Sequence, residues 1–62
     1  MTTLTYHDLR FGFLYVIYYD CATKEIFGAE RRSDGGGPPT YLETSELPPS
    51  VRVEVQRKLE NV

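Results

Sequence analysis

The sequence predicts a small α+β fold, in which a three-stranded antiparallel sheet carries one C-terminal helix on one face (β-β-β-α). Three observations lead to this prediction. Residues 11–19 (FGFLYVIYY) are apolar or aromatic at eight of nine positions, and their tyrosine and β-branched side chains favour a strand. A turn-forming segment then separates this stretch from a second apolar run, which is typical of a hairpin. The tail of the chain repeats apolar residues at helical spacing.

The size of the chain bounds how it can be stabilised. Its 62 residues predict a single domain, 1–62, and a domain of this size removes only about 60% of its unfolded surface from water. Such domains usually add disulfides, a metal ion or a partner chain. One cysteine, Cys21, allows no internal disulfide, and with one histidine, His7, the chain is far short of a structural zinc set. We therefore expect no cofactor and no metal, and a partner chain as the stabilising addition.

Charge and hydropathy predict the compartment. The first residues have neither the basic run nor the long apolar core of a signal peptide, and no segment approaches the roughly 20 apolar residues of a membrane span. The net charge of −2 gives no overall attraction to a phosphate backbone. We expect a cytoplasmic protein that does not associate with membranes.

Residues 1–9 are polar apart from single apolar residues, and we interpret them as an irregular segment. His7 and Asp8 are neighbours, but adjacent side chains on an extended chain point to opposite sides. They therefore predict an exposed pair rather than an acid–base site.

The central strand, residues 11–19, has two apolar faces. Its odd positions (Phe11, Phe13, Tyr15, Ile17 and Tyr19) lie on one side of a sheet and its even positions (Leu14, Val16 and Tyr18) on the other. Both sides of the sheet therefore have to be covered.

A hairpin follows, with residues 21–24 as its loop and Asp20 accepting hydrogen bonds from the loop backbone. The predicted cross-strand pairs are Tyr19 with Ile26, Tyr18 with Phe27, Ile17 with Gly28 and Val16 with Ala29. A slip of one residue would exchange the faces. Gly28 either leaves room for a large group above it or marks a bulge. Cys21 is expected to be an exposed, inert thiol at the loop tip.

The composition changes at ERRSDGGGPP, residues 30–39. Three glycines followed by two prolines predict a mobile loop over residues 31–39. A third strand, over residues 40–44, is expected at one edge of the sheet.

The tail predicts a helix over about residues 49–61, with proline in its first turn. Val51, Val55, Leu59 and Val62 form one apolar stripe, while Val53 falls on the opposite side. The alternative is a strand with Val51, Val53 and Val55 on its inner face, but the alternation fails after Gln56.

One helix can cover only one side of the sheet. The other side would expose either several of Phe13, Tyr15, Ile17, Tyr19 and Ile26, or Leu14, Val16, Tyr18 and Phe27. A patch of this size is larger than monomers usually expose. The sequence therefore predicts self-association through the sheet, or a lasting partner protein.

No pattern predicts catalysis. The acidic residues are scattered, the serines lie in no nucleophile elbow, and the histidine is near one terminus. Residues 35–37 are not a phosphate-binding loop, because two prolines follow where a helix and a lysine are required.

We therefore predict a non-catalytic protein-binding module, an adaptor or inhibitor, that also forms a homodimer. Small chains of this kind are often encoded by phages and other mobile elements, an expectation that rests on size alone. The predicted partner-binding residues are Phe13, Tyr15, Tyr19, Arg31 and Arg32. The alternative is a protein that binds single-stranded nucleic acid by stacking bases on the aromatic face beside Arg31 and Arg32. The two arginines could also pair simply with Glu30 and Asp34.

Overall fold

The structure, a computed structural model, describes residues 2–33 and 35–61. In that part of the chain four antiparallel strands form one sheet in the order β1-β2-β3-β4, and one α-helix, α1, follows them. The elements are β1 (Thr2–Asp8), β2 (Phe13–Tyr19), β3 (Ile26–Ser33), β4 (Thr40–Leu42), a short 3-10 helix (Thr44–Glu46) and α1 (Pro49–Glu60). The predicted α+β class, with an antiparallel sheet and one C-terminal helix, is confirmed, and the sheet has one strand more than predicted.

The additional strand is β1, which occupies residues interpreted from the sequence as irregular. It pairs with β2 along its whole length, with Leu4 opposite Ile17 and Tyr6 opposite Tyr15. Burial alternates along β1, because every second side chain turns toward the helix. The threonines between them favour extended backbone, and this propensity outweighs the polar composition.

The β2–β3 hairpin has the predicted loop and a different register beyond it. Asp20 accepts hydrogen bonds at Oδ1 from the backbone of Ala22 (2.8 Å) and Thr23 (3.2 Å). Tyr19 faces Ile26 as predicted, but a β-bulge then shifts the pairing, so that Tyr18 faces Gly28. The predicted pairs of Tyr18, Ile17 and Val16 are therefore wrong by one residue, because Phe27 is the extra residue of the bulge.

Strand β3 continues to Ser33, so Arg31 and Arg32 lie on the strand. The prediction placed both in a loop over residues 31–39, and the loop is shorter than that. Gly36 closes the turn after β3 by donating its backbone N–H to the Ser33 carbonyl oxygen (3.1 Å). Its φ of 87° and that of Gly37, 94°, are accessible to glycine without a steric cost.

Helix α1 covers the face of the sheet that carries the odd-numbered residues of β2. It buries Val51, Val55 and Leu59, three of the four residues of the predicted stripe, and the fourth, Val62, lies outside the described residues. The core also contains buried residues of the sheet and of the segment before the helix, namely Tyr15, Ile17, Tyr19, Ile26, Ala29, Leu42 and Leu47. The helical structure of this segment excludes the alternative strand over Val51, Val53 and Val55.

Two hydrogen bonds connect the start of the helix to the sheet. The Arg52 guanidinium donates from Nη2 to the Thr44 carbonyl oxygen (2.7 Å), and the Thr44 hydroxyl donates to the carbonyl oxygen of Ile26 (3.0 Å). The start of α1 is thereby linked through the 3-10 helix to β3. Across residues 2–33 and 35–61, no helix has the length and apolar composition needed to cross a bilayer.

Candidate interaction face

The side of the sheet away from α1 is the candidate functional surface, and we call it the open face. Directly opposed residues of antiparallel strands share a face, so the register assigns its members. They are Thr3, Thr5 and His7 of β1, Leu14, Val16 and Tyr18 of β2, Gly28, Glu30 and Arg32 of β3, and Tyr41 of β4. Leu14, Val16 and Tyr18 are half-buried, in contrast to the fully buried residues between them. The open face is thus apolar at its centre and retains access to solvent.

One end of the open face forms a concavity that we call the aromatic groove. Its volume is about 460 Å³, and its lining residues are Tyr18, Phe27, Glu30, Pro39 and Tyr41. Two of its rings are strongly exposed, with 48% of Phe27 and 59% of Tyr41 accessible to water. Exposed aromatic rings beside a half-buried apolar centre are typical of binding surfaces.

Local features of the chain build this groove. The bulge at residue 27 interrupts the ladder between Tyr18 and Tyr19, and it leaves Phe27 exposed beside Tyr18. Gly28 has no side chain, and the Tyr41 ring occupies the space above it. A Cβ atom at residue 28 would lie only 2.8 Å from Cζ of Tyr41 and would also meet its hydroxyl oxygen. The sequence-based expectation of either a bulge or a large group above Gly28 holds on both counts.

Glu30 places a negative charge among the rings of the groove. The Tyr18 hydroxyl donates to its Oε2 (2.8 Å), and Arg32 donates from Nη2 to its Oε1 (3.4 Å). The Tyr18 hydrogen bond lowers the pKa of the Glu30 carboxyl. Desolvation of the carboxyl raises its pKa in part, and the positive charge of Arg32 lowers it further. The same bond raises the pKa of the Tyr18 hydroxyl. At neutral pH the groove therefore contains a carboxylate and a neutral tyrosine.

Two of the predicted partner-binding residues, Tyr15 and Tyr19, belong to the core, which corrects their expected exposure on a binding face. Tyr15 is 2% exposed and Tyr19 is 3% exposed, because α1 lies over the odd-numbered residues of β2. Neither ring can contact a partner while the helix is in place. Phe13 lies on the same face near the end of the sheet, and it is half-buried against the core.

The predicted arginine pair is divided between the two faces. Arg31 faces the helix side, where its guanidinium lies 4.7 Å from the ring centroid of Phe13. It also interacts with the Tyr15 hydroxyl, whose pKa is raised by burial and lowered in part by Arg31. Arg32 lies on the open face and pairs with Glu30, as the simplest sequence interpretation proposed. The two arginines separate because successive side chains of a strand point to opposite sides.

The residues that form the groove were only partly identifiable from the sequence. Tyr18 and Phe27 belong to the second of the two faces left open as alternatives, whereas Tyr41 was missed. The available signal was Gly28, since a glycine within a strand indicates that a large group lies above it. The partner of that glycine could be found only from the pairing of β3 with β4.

A second surface lies at the opposite edge of the sheet, where β1 is an outer strand. A groove of about 360 Å³ runs between β1 and the helix; Tyr6, Phe11 and Val53 supply its apolar lining. Phe11 and Val53 are both exposed, although Phe11 was predicted to lie in the central strand. In this region the outer edge of β1 therefore adjoins apolar side chains.

In the described ranges no three His, Cys, Asp or Glu residues form a group able to hold a metal ion. Comparison of the chain with protein-family models, with curated proteins and with solved structures finds no match.

Proposed function

We propose that the chain is a non-catalytic protein-binding module, an adaptor or inhibitor, that docks a partner protein on its open face. The observation that carries the proposal is the aromatic groove, where Phe27 and Tyr41 remain exposed beside the half-buried Tyr18. Aromatic rings in a concave, partly desolvated position supply much of the binding energy of protein interfaces. Leu14 and Val16 extend the apolar surface beyond the groove.

The charges of the open face favour a protein partner over single-stranded nucleic acid. A stacking site for bases needs a positively charged path for the phosphates. The groove instead contains the Glu30 carboxylate, whose negative charge offsets the positive charge of the nearby Arg32. Arg31 cannot assist, because it lies on the helix side against Phe13. The net charge of −2 adds a further, weaker repulsion.

A site-specific crosslinking experiment tests the proposed docking face. A photoreactive phenylalanine analogue replaces Tyr41 in one sample and Gln56, an exposed residue of α1, in a matched sample. We expect one protein to be crosslinked from position 41 and not from position 56. The purified partner should then bind the Phe27→Ser/Tyr41→Ser variant at least about tenfold more weakly than the wild-type chain. Val53→Ser, which removes an exposed apolar side chain from the helix, should leave the affinity unchanged.

Two results would contradict this proposal. Equal crosslinking from both positions would show that the open face is not selected by the partner. Crosslinks to nucleic acid, with binding that weakens steeply as salt increases, would support the alternative function.

We further propose that the chain forms a homodimer through the edge of β1. The strand has seven residues and contains neither proline nor lysine, the residues that commonly protect an edge from pairing. Antiparallel pairing with a second copy about a two-fold axis at Thr5, the middle residue, uses the whole strand. Leu4 then faces Tyr6 of the other copy, and Asp8 faces Thr2. No like charges oppose each other in this register.

We also propose that the protein is cytoplasmic. Cys21 is exposed in the hairpin loop, and an exposed thiol is best maintained in a reducing compartment.

A further inference from the structure

The aromatic groove combines two features that attract positive charge. The faces of aromatic rings carry partial negative charge, and cations bind over tyrosine and phenylalanine rings within about 6 Å of the ring centroid. Tyr18, Phe27 and Tyr41 supply three such rings around one concavity. Glu30 adds a full negative charge to the same lining, with its side chain 20% exposed.

We infer that the aromatic groove binds a cationic side chain, arginine or lysine, of the partner protein. The inference rests on the proposed function, since it names the chemistry by which the docked partner is recognised. Charge complementarity favours this occupant, because Glu30 repels an acidic side chain, and a neutral one lacks both the charge-assisted hydrogen bond to the carboxylate and the attraction to the ring faces. The groove volume of about 460 Å³ lies within the range of about 300–1,000 Å³ that is usual for sites accepting compact ligands.

The carboxylate is available for such a ligand at neutral pH. Its hydrogen bond from Tyr18 uses Oε2 and favours the ionised form. The contact of Oε1 with Arg32 is long, at 3.4 Å, and the Arg32 side chain is 55% exposed. Exposed ion pairs of this kind contribute little free energy. A cation delivered by a partner can therefore replace Arg32 at Oε1 and contact the rings as well.

This mechanism gives Arg32 a role opposite to the one predicted from the sequence. If Arg32 bound an acidic partner or a phosphate, its removal would weaken binding. If it competes with the ligand for Glu30, its removal should strengthen binding. The sign of the effect of Arg32→Ala thus separates the two mechanisms.

The test is an NMR titration of the full ¹⁵N-labelled chain with three peptides. Each peptide is seven residues long. Its central residue is arginine, lysine or citrulline, and the other six are Gly, Ser and Thr. Citrulline matches arginine in shape and is uncharged. We expect saturable shifts at the backbone amides of Tyr18, Phe27, Glu30 and Tyr41 with the two cationic peptides. The dissociation constant should be at least about tenfold higher for the citrulline peptide.

Variants then test the two charged residues of the groove. Glu30→Gln should weaken binding of the arginine peptide about tenfold, whereas Arg32→Ala should strengthen it by about two- to fivefold. The controls are Glu54→Gln and Arg57→Ala, which alter the exposed ion pair on α1 (3.5 Å) and change the net charge in the same way. Both should bind the arginine peptide as the wild-type chain does. Tyr41→Ser tests the ring contribution at an exposed site and should also weaken binding.

Three results would overturn the inference: equal affinity for the citrulline peptide, no effect of Glu30→Gln, or weaker binding by Arg32→Ala. The failure of the proposed function would look different. In that case the crosslinked partner would bind Phe27→Ser/Tyr41→Ser as tightly as the wild-type chain, whatever the peptides do. If that variant loses the partner while the arginine peptide gives no saturable shift, the open face remains the docking site and the cationic ligand is wrong.

Discussion

Gly28 and Tyr41 show how the absence of one side chain determines the shape of a surface. The Tyr41 ring lies over Gly28, and the carbonyl oxygen of Leu42 is 3.2 Å from the position of a Cβ atom at residue 28. A methyl group there would meet two neighbours of different stiffness. The exposed tyrosine side chain can rotate away, whereas the β4 backbone is held by its pairing with β3.

We predict that Gly28→Ala displaces the Tyr41 ring and lowers the free energy of unfolding by about 1–2 kcal/mol. The loss combines the strain at Leu42 with the ring contact that is given up. Urea denaturation measures the free energy, and the aromatic ring signals of Tyr41 report its displacement.

The matched control for this prediction is the double variant Gly28→Ala/Tyr41→Ala. Because the clash involves Tyr41, the effect of Gly28→Ala should be smaller when Tyr41 is already alanine. Additive effects of the two substitutions would show that the ring does not lie over the glycine.

The hydrogen bond between Tyr18 and Glu30 makes the stability of the folded chain depend on pH. The pKa of Glu30 is lowered in the folded chain. Its contribution to stability is therefore fully present above the unfolded value of about 4.5, and it is lost as the pH falls through the lower folded value. We predict that Tyr18→Phe raises the pKa of Glu30 and makes the loss of stability below about pH 4.5 shallower.

The side-chain carboxyl carbon of Glu30 reports this pKa directly by NMR. Glu54→Gln serves as the control for general effects of an acidic residue, since Glu54 belongs to an exposed pair on the helix. An unchanged Glu30 pKa in Tyr18→Phe would assign the shift to Arg32 instead.

At the scale of the element, the helix was the part of the fold most readily predicted. A spacing of four residues places Val51, Val55 and Leu59 on one face of a helix, and the structure buries all three. The prolines at its start also favour this boundary. Strand β1 was missed because a window of seven residues containing three threonines has a weak apolar alternation. Its pairing with β2 supplies the missing stability, and local sequence does not report such a tertiary contribution.

We predict that Leu59→Ala and Val53→Ala, both on α1, differ strongly in their effect on the free energy of unfolding. Leu59 is 1% exposed, so Leu59→Ala should lower the free energy of unfolding by about 2–5 kcal/mol through lost burial and the cavity that remains. For a domain of this size, such a loss approaches the total stability. Val53 is 56% exposed on the same helix, and Val53→Ala should change the free energy by less than about 0.5 kcal/mol.

Thermal unfolding followed by circular dichroism compares the two variants. If Leu59→Ala melts within a degree or two of Val53→Ala, the helix does not contribute its stripe to the core as described. A wild-type-like Leu59→Ala together with a destabilised Val53→Ala would reverse the assigned faces of α1.

At the scale of the whole molecule, the sequence predicted a sheet with two apolar sides and a single helix to cover them. It did not predict which side the helix covers. The odd- and even-numbered residues of β2 are similarly apolar, so the local pattern favours neither. The choice depends on the partners across the sheet, where Ala29 lies opposite Ile17 and Glu30 lies opposite Val16. The bulge at Phe27 sets this register, and it was one of two alternatives for Gly28.

The similarity of the two faces also explains why two of the predicted site residues are buried. Aromatic side chains do lie on the uncovered face, but Tyr15 and Tyr19, at odd-numbered positions of β2, belong to the core. The arginines were assigned to a loop because the glycines that follow them dominate the composition. In the structure the strand continues through both, so their side chains diverge.

The proposed dimer pairs the β1 edges of two copies. Substitutions that place like or opposite charges at its two-fold axis test it. In the proposed register the two β1 strands are antiparallel, and Thr5 lies opposite Thr5 of the other copy. The Thr5 side chain is exposed on the open face of each chain. We predict that Thr5→Lys and Thr5→Glu each raise the dimer dissociation constant by about tenfold or more, because like charges then meet at the axis. An equimolar mixture of the two variants should restore association as a heterodimer, since opposite charges are then apposed.

Thr3 provides the control, because it faces His7 of the other copy in this register. The mixture of Thr3→Lys with Thr3→Glu therefore brings no oppositely charged pair together at the axis. Sedimentation equilibrium measures the four variants and both mixtures; a wild-type chain that stays monomeric at every concentration, or a Thr5 mixture no tighter than its components, would rule out pairing through β1 about Thr5.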